Sequence, residues 1–144
     1  MAQKSIIGGM LIPRGFVMQD PYKILVVDDE KEICELFTEI LSLEGYEVKS
    51  ARSGSEAKLI LKTYSPDLIS IDYMLPDTVG GQLAIEIGDI CPYLFISGVD
   101  PEVLDKVEFC GKLLSKPINA ERLLLAAEKA INDYRYKTGA VSGF

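Results

Sequence analysis

At 144 residues the chain has the length of a single domain, and its 48% hydrophobic content is ordinary for a folded protein. With 15 Lys and Arg against 22 Asp and Glu, the net charge of −7 argues against nucleic acid or an anionic membrane as a partner. The chain has no histidine and its three cysteines form no C-x-x-C pair, which excludes common zinc sites and imidazole catalysis. No apolar run approaches the ~18–20 residues that span a bilayer, so we expect a cytoplasmic protein.

Three regions are predicted along the chain. Residues 1–21 carry no sustained hydrophobic period and are rich in glycine and proline, which predicts a loosely ordered leader. A regular alternation of patterns then occupies residues 22–134 and predicts one folded domain. The remaining residues, 135–144, form a tail too short for an output module.

Within residues 22–134, apolar runs alternate with helical patterns. The runs are typical of strands buried on both faces of a parallel sheet, and they predict strands at 23–27, 46–51, 67–72, 93–97 and 112–115. Five helices are predicted between and after them. They are one with a stripe from Ile33 to Leu41, one behind a capping box at Ser53–Glu56, one after Gly80–Gly81 with a stripe from Leu83 to Ile90, a short one capped by Asp100 and one capped by Asn119.

Parallel neighbours need crossover helices, so this alternation predicts an α/β fold. The expected architecture is a doubly wound (βα)5 three-layer sandwich whose five-stranded parallel sheet has the order 2-1-3-4-5.

Polar residues stand where the predicted strands end. Asp28 and Asp29 follow the first strand, Asp72 ends the third, Ser97 ends the fourth and Lys116 follows the fifth. The first and third strands are neighbours ~4.8 Å apart in this order, so the three carboxylates should share one pocket. Two unit charges 4 Å apart repel by ~4 kcal/mol at an effective dielectric of 20, which a divalent cation would relieve. Oxygen ligands without His or Cys favour Mg²⁺.

These residue types are the components of a phosphoryl-transfer site. Without histidine, a carboxylate is the direct choice of acceptor, and the central position of Asp72 favours it. Asp28 and Asp29 are better placed as metal ligands, and Lys116 and Ser97 can stabilise phosphoryl oxygens. Each signal alone has a plain structural explanation, such as a helix amino terminus or a turn. Their occurrence together, in chain order, favours function.

The sequence resembles a two-component response-regulator receiver domain over residues 22–134. The resemblance is carried by an acidic pair after the first strand, a D-x-x-x-P stretch after the third and a final K-P, namely Ile24–Glu30 (ILVVDDE), Pro66–Pro76 (PDLISIDYMLP), Phe95–Gly98 (FISG) and Lys116–Pro117.

That resemblance implies a single-domain signalling switch or relay phosphorylated on Asp72 by a phosphohistidine donor. The donor would be a sensor histidine kinase or a histidine phosphotransfer protein, and the downstream protein and any homodimer stay open. Mg²⁺ would be held by Asp28, Asp29, Asp72 and the backbone carbonyl of Met74. Lys116 and Ser97 would contact the phosphoryl group. Ser97 and the strand-five residue Leu113 would form the switch, at a place where the family usually has an aromatic residue.

Other functions remain open at this point. A receiver-like docking module without phosphorylation is one, because Leu113 and the spacing of 19 positions from Ser97 to Lys116 depart from the family pattern and predict a short fourth helix. A phosphatase-type hydrolase is disfavoured because Met74 stands where a second Asp is needed. A flavin or nucleotide binder is disfavoured because the acids after the first strand would repel phosphate. We therefore expect no enzyme, beyond the domain's own phosphoryl transfer and slow autodephosphorylation.

Overall fold

A parallel sheet of five strands forms the centre of the protein, whose computed structural model describes residues 4–7, 10–13, 20–98 and 111–138. The strands are β3 (Lys23–Val27), β4 (Glu47–Ala51), β5 (Leu68–Asp72), β6 (Tyr93–Ser97) and β7 (Lys112–Ser115). Their spatial order is β4-β3-β5-β6-β7, and every neighbouring pair is parallel. In chain order this is 2-1-3-4-5, so the predicted fold class and strand order are confirmed.

Four helices are described around this sheet. They are α1 (Lys31–Leu43), α2 (Gly54–Ile60), α3 (Gly80–Ile87) and α4 (Ala120–Lys137). The predicted short helix after Asp100 lies outside the described residues. None of the described helices is long and apolar enough to cross a membrane.

The predicted helix caps form as expected. The Ser53 hydroxyl accepts a hydrogen bond from the Glu56 amide at 3.1 Å, and the Asn119 side chain accepts one from the Arg122 amide at 2.8 Å. Gly45, at φ +95°, follows the end of α1, where a left-handed residue suits a helix terminus.

Two elements differ from the expectations. Helix α3 ends at Ile87 because Gly88 adopts φ +95°, so Ile90, predicted on the helix, lies beyond it and is 51% exposed. An antiparallel pair of strands, β1 (Lys4–Ile7) and β2 (Met10–Pro13), lies in the region where no regular structure is predicted. Their glycine-broken sequence masked the strand pattern.

Each face of the sheet carries its own hydrophobic core. On β3, Ile24 and Val26 face one core with α1 and α4, while Leu25 and Val27 face the other with α2 and α3. All four side chains are at most 1% exposed. Burial on both faces explains the continuous apolar runs of the sequence, and it holds the carboxyl ends of the strands in a fixed arrangement.

Candidate functional site

Three carboxylates meet at the carboxyl edge of the sheet. Asp28 and Asp29 follow β3, and Asp72 is the last residue of the neighbouring strand β5. One oxygen from each of them lies within 4.8 Å of the others. Asp28 is 2% exposed and Asp72 is 8% exposed, whereas Asp29 faces solvent. The strand order thus brings together acids separated by more than forty positions in the chain.

Lys116 supplies the positive charge of this pocket. Its ammonium Nζ lies 3.4 Å from Asp28 Oδ2 and 3.5 Å from Asp72 Oδ2. The Lys116 amide donates to the Ser97 carbonyl at 2.8 Å, which continues the pairing of β6 with β7 and aims the side chain across the sheet edge. The Lys116–Pro117 peptide bond is cis. One ammonium is therefore shared by two buried carboxylates.

The pocket holds more negative charge than its lysine can balance. Burial raises the pKa of Asp72 from 3.8 to about 6, the Asp28 charge adds to the rise, and Lys116 opposes it. Burial also raises the pKa of Asp28 despite a hydrogen bond from the Glu30 amide. For Lys116, desolvation would lower the pKa, but the charges of Asp28 and Asp72 outweigh it and raise the pKa. A pocket in this state favours an added cation.

The donor set suits a hard divalent cation. All three convergent ligand atoms are carboxylate oxygens, with neither imidazole nor thiolate among them, and Mg²⁺ prefers such oxygens. Because Asp29 is exposed, water and a phosphoryl oxygen could reach the remaining coordination positions from solvent. The residues present therefore fit Mg²⁺.

Of the other predicted site residues, Ser97 and Met74 lie at the same edge, and Leu113 lies two residues before the end of β7. Ser97 ends β6 and is 2% exposed. The Met74 amide donates to Asp72 Oδ1 at 3.4 Å, and its side chain is 55% exposed. Leu113 lies opposite Phe95 in the β6–β7 register and packs, half-buried, against the core formed with α2 and α3. The roles of Ser97, Met74 and Leu113 remain predictions.

The sequence did not predict three side chains that fix the loops of the site, which are residues 28–30 after β3 and residues 73–79 after β5. Arg52 donates from Nε and Nη2 to the carbonyl of Asp29 at 3.1 and 3.0 Å. The Asp77 carboxylate accepts from the amides of Gly54 and Ser55, both at 2.9 Å. The buried Cys34 thiol donates to the Asp28 carbonyl at 3.2 Å. None of these residues stands in a motif that signals such a contact.

The chain belongs to the response regulator receiver domain family, whose sequence model matches residues 24–128. Accepting a phosphoryl group is the general function of this family, and its members generally bind Mg²⁺ at an acidic pocket. The resemblance seen in the sequence is thereby confirmed, and the domain is a signalling domain of two-component systems.

Named relatives agree with this assignment. The regulatory protein VanRc of Enterococcus gallinarum is 33% identical over 127 residues, which cover 83% of this chain and 54% of that protein. The alkaline phosphatase synthesis transcriptional regulatory protein PhoP of Bacillus subtilis is 40% identical over 88 residues, covering 59% of this chain and 36% of that protein. The chain spans about half or less of the length of these relatives.

Solved structures show the same fold. A CheY-like receiver domain protein from Methanospirillum hungatei matches with a TM-score of 0.71 and 25% identity, over 81% of this chain and 98% of that chain. NtrX from Brucella abortus matches with a TM-score of 0.75 and 31% identity, over 83% of this chain and 29% of that chain. The first of these matches covers nearly the whole of the Methanospirillum protein, which is a receiver domain.

Proposed function

We propose that Asp72 accepts a phosphoryl group from a phosphohistidine donor in a Mg²⁺-dependent reaction, and that the chain thereby switches or relays a two-component signal. The observation that carries the proposal is the convergence of three carboxylates and one ammonium in a single pocket. Asp72 is the proposed acceptor because it ends the central strand β5, which lies between β3 with its acidic pair and β6 with Ser97, and its carboxylate contacts the Lys116 ammonium.

In the proposed reaction, an oxygen of the Asp72 carboxylate forms a bond to phosphorus while the phosphorus–nitrogen bond of the donor breaks. The electron pair of that bond leaves with the imidazole, which takes up a proton. Mg²⁺ held by Asp28, Asp29, Asp72 and the Met74 carbonyl would neutralise charge on the phosphoryl oxygens. Lys116, whose ammonium lies 3.5 Å from Asp72 Oδ2, would add a second positive charge next to the phosphoryl group.

Ser97 and Leu113 are the proposed switch pair. Ser97 ends the strand beside Asp72, and Leu113 lies two residues before Ser115, the register partner of Ser97. A phosphoryl group that draws the Ser97 hydroxyl toward it would change the space available to Leu113. The Leu113 side chain would move inward toward the Ser97 side, as an aromatic side chain at this position would. Because leucine is smaller than an aromatic residue, this movement would change less buried surface area.

The proposed partners follow from the family. We infer that the phosphoryl donor is a sensor histidine kinase or a histidine phosphotransfer protein, and that a downstream protein binds the chain in response to phosphorylation. We also infer that the chain is cytoplasmic. Because Met74 places a thioether where a hydrolase would carry a second acid, we infer no turnover of other substrates. Size measurement with and without Mg²⁺ and beryllofluoride, a mimic of the phosphoryl group, would separate output by dimerisation from output by docking.

The central test is phosphorylation of the purified chain. Incubation with Mg²⁺ and acetyl phosphate should add the mass of one phosphoryl group, located at Asp72 by peptide mapping. The Asp72→Asn variant should take up none, and chelation of Mg²⁺ should abolish the reaction in the parent chain. Asp133→Asn is the matched control, since Asp133 is an exposed acid that pairs with Lys129 on the surface of α4.

Absence of modification under these conditions, or equal modification of the Asp72→Asn variant, would contradict the proposal. In the first case, the chain would be better described as a docking module that keeps the receiver fold. In the second case, another residue would be the acceptor.

A further inference from the structure

The turn between β4 and α2 touches the first acidic loop through Arg52. Two nitrogens of the Arg52 guanidinium converge on one oxygen, the carbonyl of Asp29, at 3.1 and 3.0 Å. The contact reaches the backbone of Asp29 and leaves the carboxylate free to point into the pocket. A two-pronged bond of this kind restricts the peptide more than a single bond does.

The same turn is anchored to the loop after Asp72. The Asp77 carboxylate accepts from the amides of Gly54 and Ser55 with both oxygens at 2.9 Å. Close approach depends on glycine, since a Cβ at position 54 would lie 2.7 Å from Thr78 Cγ2. The segment 52–55 is thus bonded to both loops that carry the proposed Mg²⁺ ligands.

The support for Arg52 is itself fixed. The Arg52 amide donates to Glu56 Oε2 at 3.0 Å, and Glu56 in turn donates its amide to the Ser53 hydroxyl. This closes the capping box one residue earlier than the usual pattern. The arginine therefore stands on a backbone that is held at its own amide and by the first turn of α2.

We propose that Arg52 is a positioning residue of the Mg²⁺ site, which holds the Asp29 backbone so that its carboxylate faces Asp28 and Asp72. The proposal rests on the proposed function, because it needs Mg²⁺ to bind among these acids. Asp29 is the exposed member of the cluster, so its carboxylate has the most freedom to lose when a cation binds. Fixing its peptide in advance lowers that loss.

An electrostatic role and a positioning role for Arg52 predict opposite effects of its replacement on Mg²⁺ affinity. An arginine acting only by its charge would repel Mg²⁺, so removing the charge would tighten binding. An arginine that positions Asp29 would, when replaced, weaken binding even if the charge were kept. The substitution Arg52→Lys separates these effects, because one ammonium keeps the charge and loses the pair of convergent N–H donors.

The experiment is a titration of the whole chain with Mg²⁺ alone, followed by calorimetry, together with urea unfolding of the metal-free protein. For Arg52→Lys we expect the dissociation constant of Mg²⁺ to rise about tenfold, the lower end of the range for residues that orient metal ligands. The urea midpoint of the metal-free protein should stay unchanged, since the bond is exposed. Arg135→Lys is the matched control, because Arg135 lies over the Tyr22 ring at the other end of the sheet.

Each result decides the matter. Weaker Mg²⁺ binding by Arg52→Lys with unchanged metal-free stability, and no change for Arg135→Lys, supports the assignment. An unchanged dissociation constant for Arg52→Lys, or a loss of metal-free stability that matches the loss of affinity, overturns it and leaves the proposed function intact. If the parent chain binds no Mg²⁺, or binds it equally after Asp72→Asn, both the assignment and the proposed Mg²⁺ site fail.

Discussion

The buried carboxylate of Asp72 should destabilise the metal-free protein, so Asp72→Asn is expected to raise its free energy of unfolding. Asp72 is 8% exposed, and burial together with the Asp28 charge raises its pKa from 3.8 to about 6. Because the pKa is higher in the folded state than in the unfolded chain, the folded state disfavours the ionised carboxylate. The penalty therefore grows as pH rises through this window and is fully present above it.

The size of the effect follows from the same values. At about 1.4 kcal/mol for each tenfold change in proton affinity, a pKa of about 6 in place of 3.8 corresponds to about 3 kcal/mol near neutral pH. Burial is the largest cause of this penalty, and repulsion from Asp28 adds to it: two unit charges at 4.8 Å, the upper limit for this cluster, repel by about 3.5 kcal/mol at an effective dielectric of 20, which Lys116 partly offsets. Asparagine keeps the shape but loses the attraction to Lys116, so we expect a net gain of about 1–3 kcal/mol.

The assay is urea unfolding of both proteins, followed by far-ultraviolet circular dichroism in the presence of a chelator. The stability difference should be largest near about pH 7.5 and should shrink to about a third near about pH 4.5, where most of the Asp72 penalty is absent. Mg²⁺ at ten times its dissociation constant should stabilise the parent chain by about 1.4 kcal/mol. It should therefore reduce the difference in the free energy of unfolding between Asp72→Asn and the parent chain. Asp133→Asn, which removes an exposed acid, should show none of these changes.

The electrostatic reasoning would be refuted if Asp72→Asn were no more stable than the parent chain near neutral pH without metal. It would equally be refuted by a difference that stays the same at both pH values. The first result would mean that Lys116 fully compensates the two buried carboxylates, and the second would mean that the stability difference does not come from the ionisation of Asp72.

Three further predictions concern the scaffold. Gly111→Ala should lower the free energy of unfolding by about 2 kcal/mol or more in urea titration, because its Cβ would lie 2.2 Å from the Tyr93 carbonyl oxygen; Gly98→Ala, with nothing within 4 Å, should cost far less. Ser53→Ala should cost about 1 kcal/mol in the same assay through loss of the α2 cap, and Ser53→Thr should retain most of it. Cys91 should resist alkylation until the protein unfolds, because it is buried and burial raises the pKa of its thiol to about 12. The measurement is peptide mapping after the native protein is treated with iodoacetamide. Rapid labelling of Cys91 in the native protein would contradict the prediction.

The sequence alone was sufficient to predict the sheet, its strand order and the position of the acids. Strands such as Tyr93–Ser97 are buried on both faces, so their apolar runs stand out and end abruptly where the chain meets solvent. Parallel strands place their carboxyl ends at one edge, which is why the sequence predicts Asp28 and Asp72 together. Local capping signals at Ser53 and Asn119 also sufficed, because their partners lie three residues away.

Tertiary structure decided what depends on contacts between distant segments. The sharing of Lys116 by two carboxylates, and the pKa of Asp72 that follows from it, need the side chains of three separate loops in place. The bond from Arg52 to the Asp29 carbonyl has no sequence signature, since any residue offers a carbonyl and an arginine can reach in many directions. Hydrophobic periodicity and composition indicate which faces of a strand or helix are buried. Contacts between side chains of different loops form only when the packed sheet brings those loops within a few ångströms of each other.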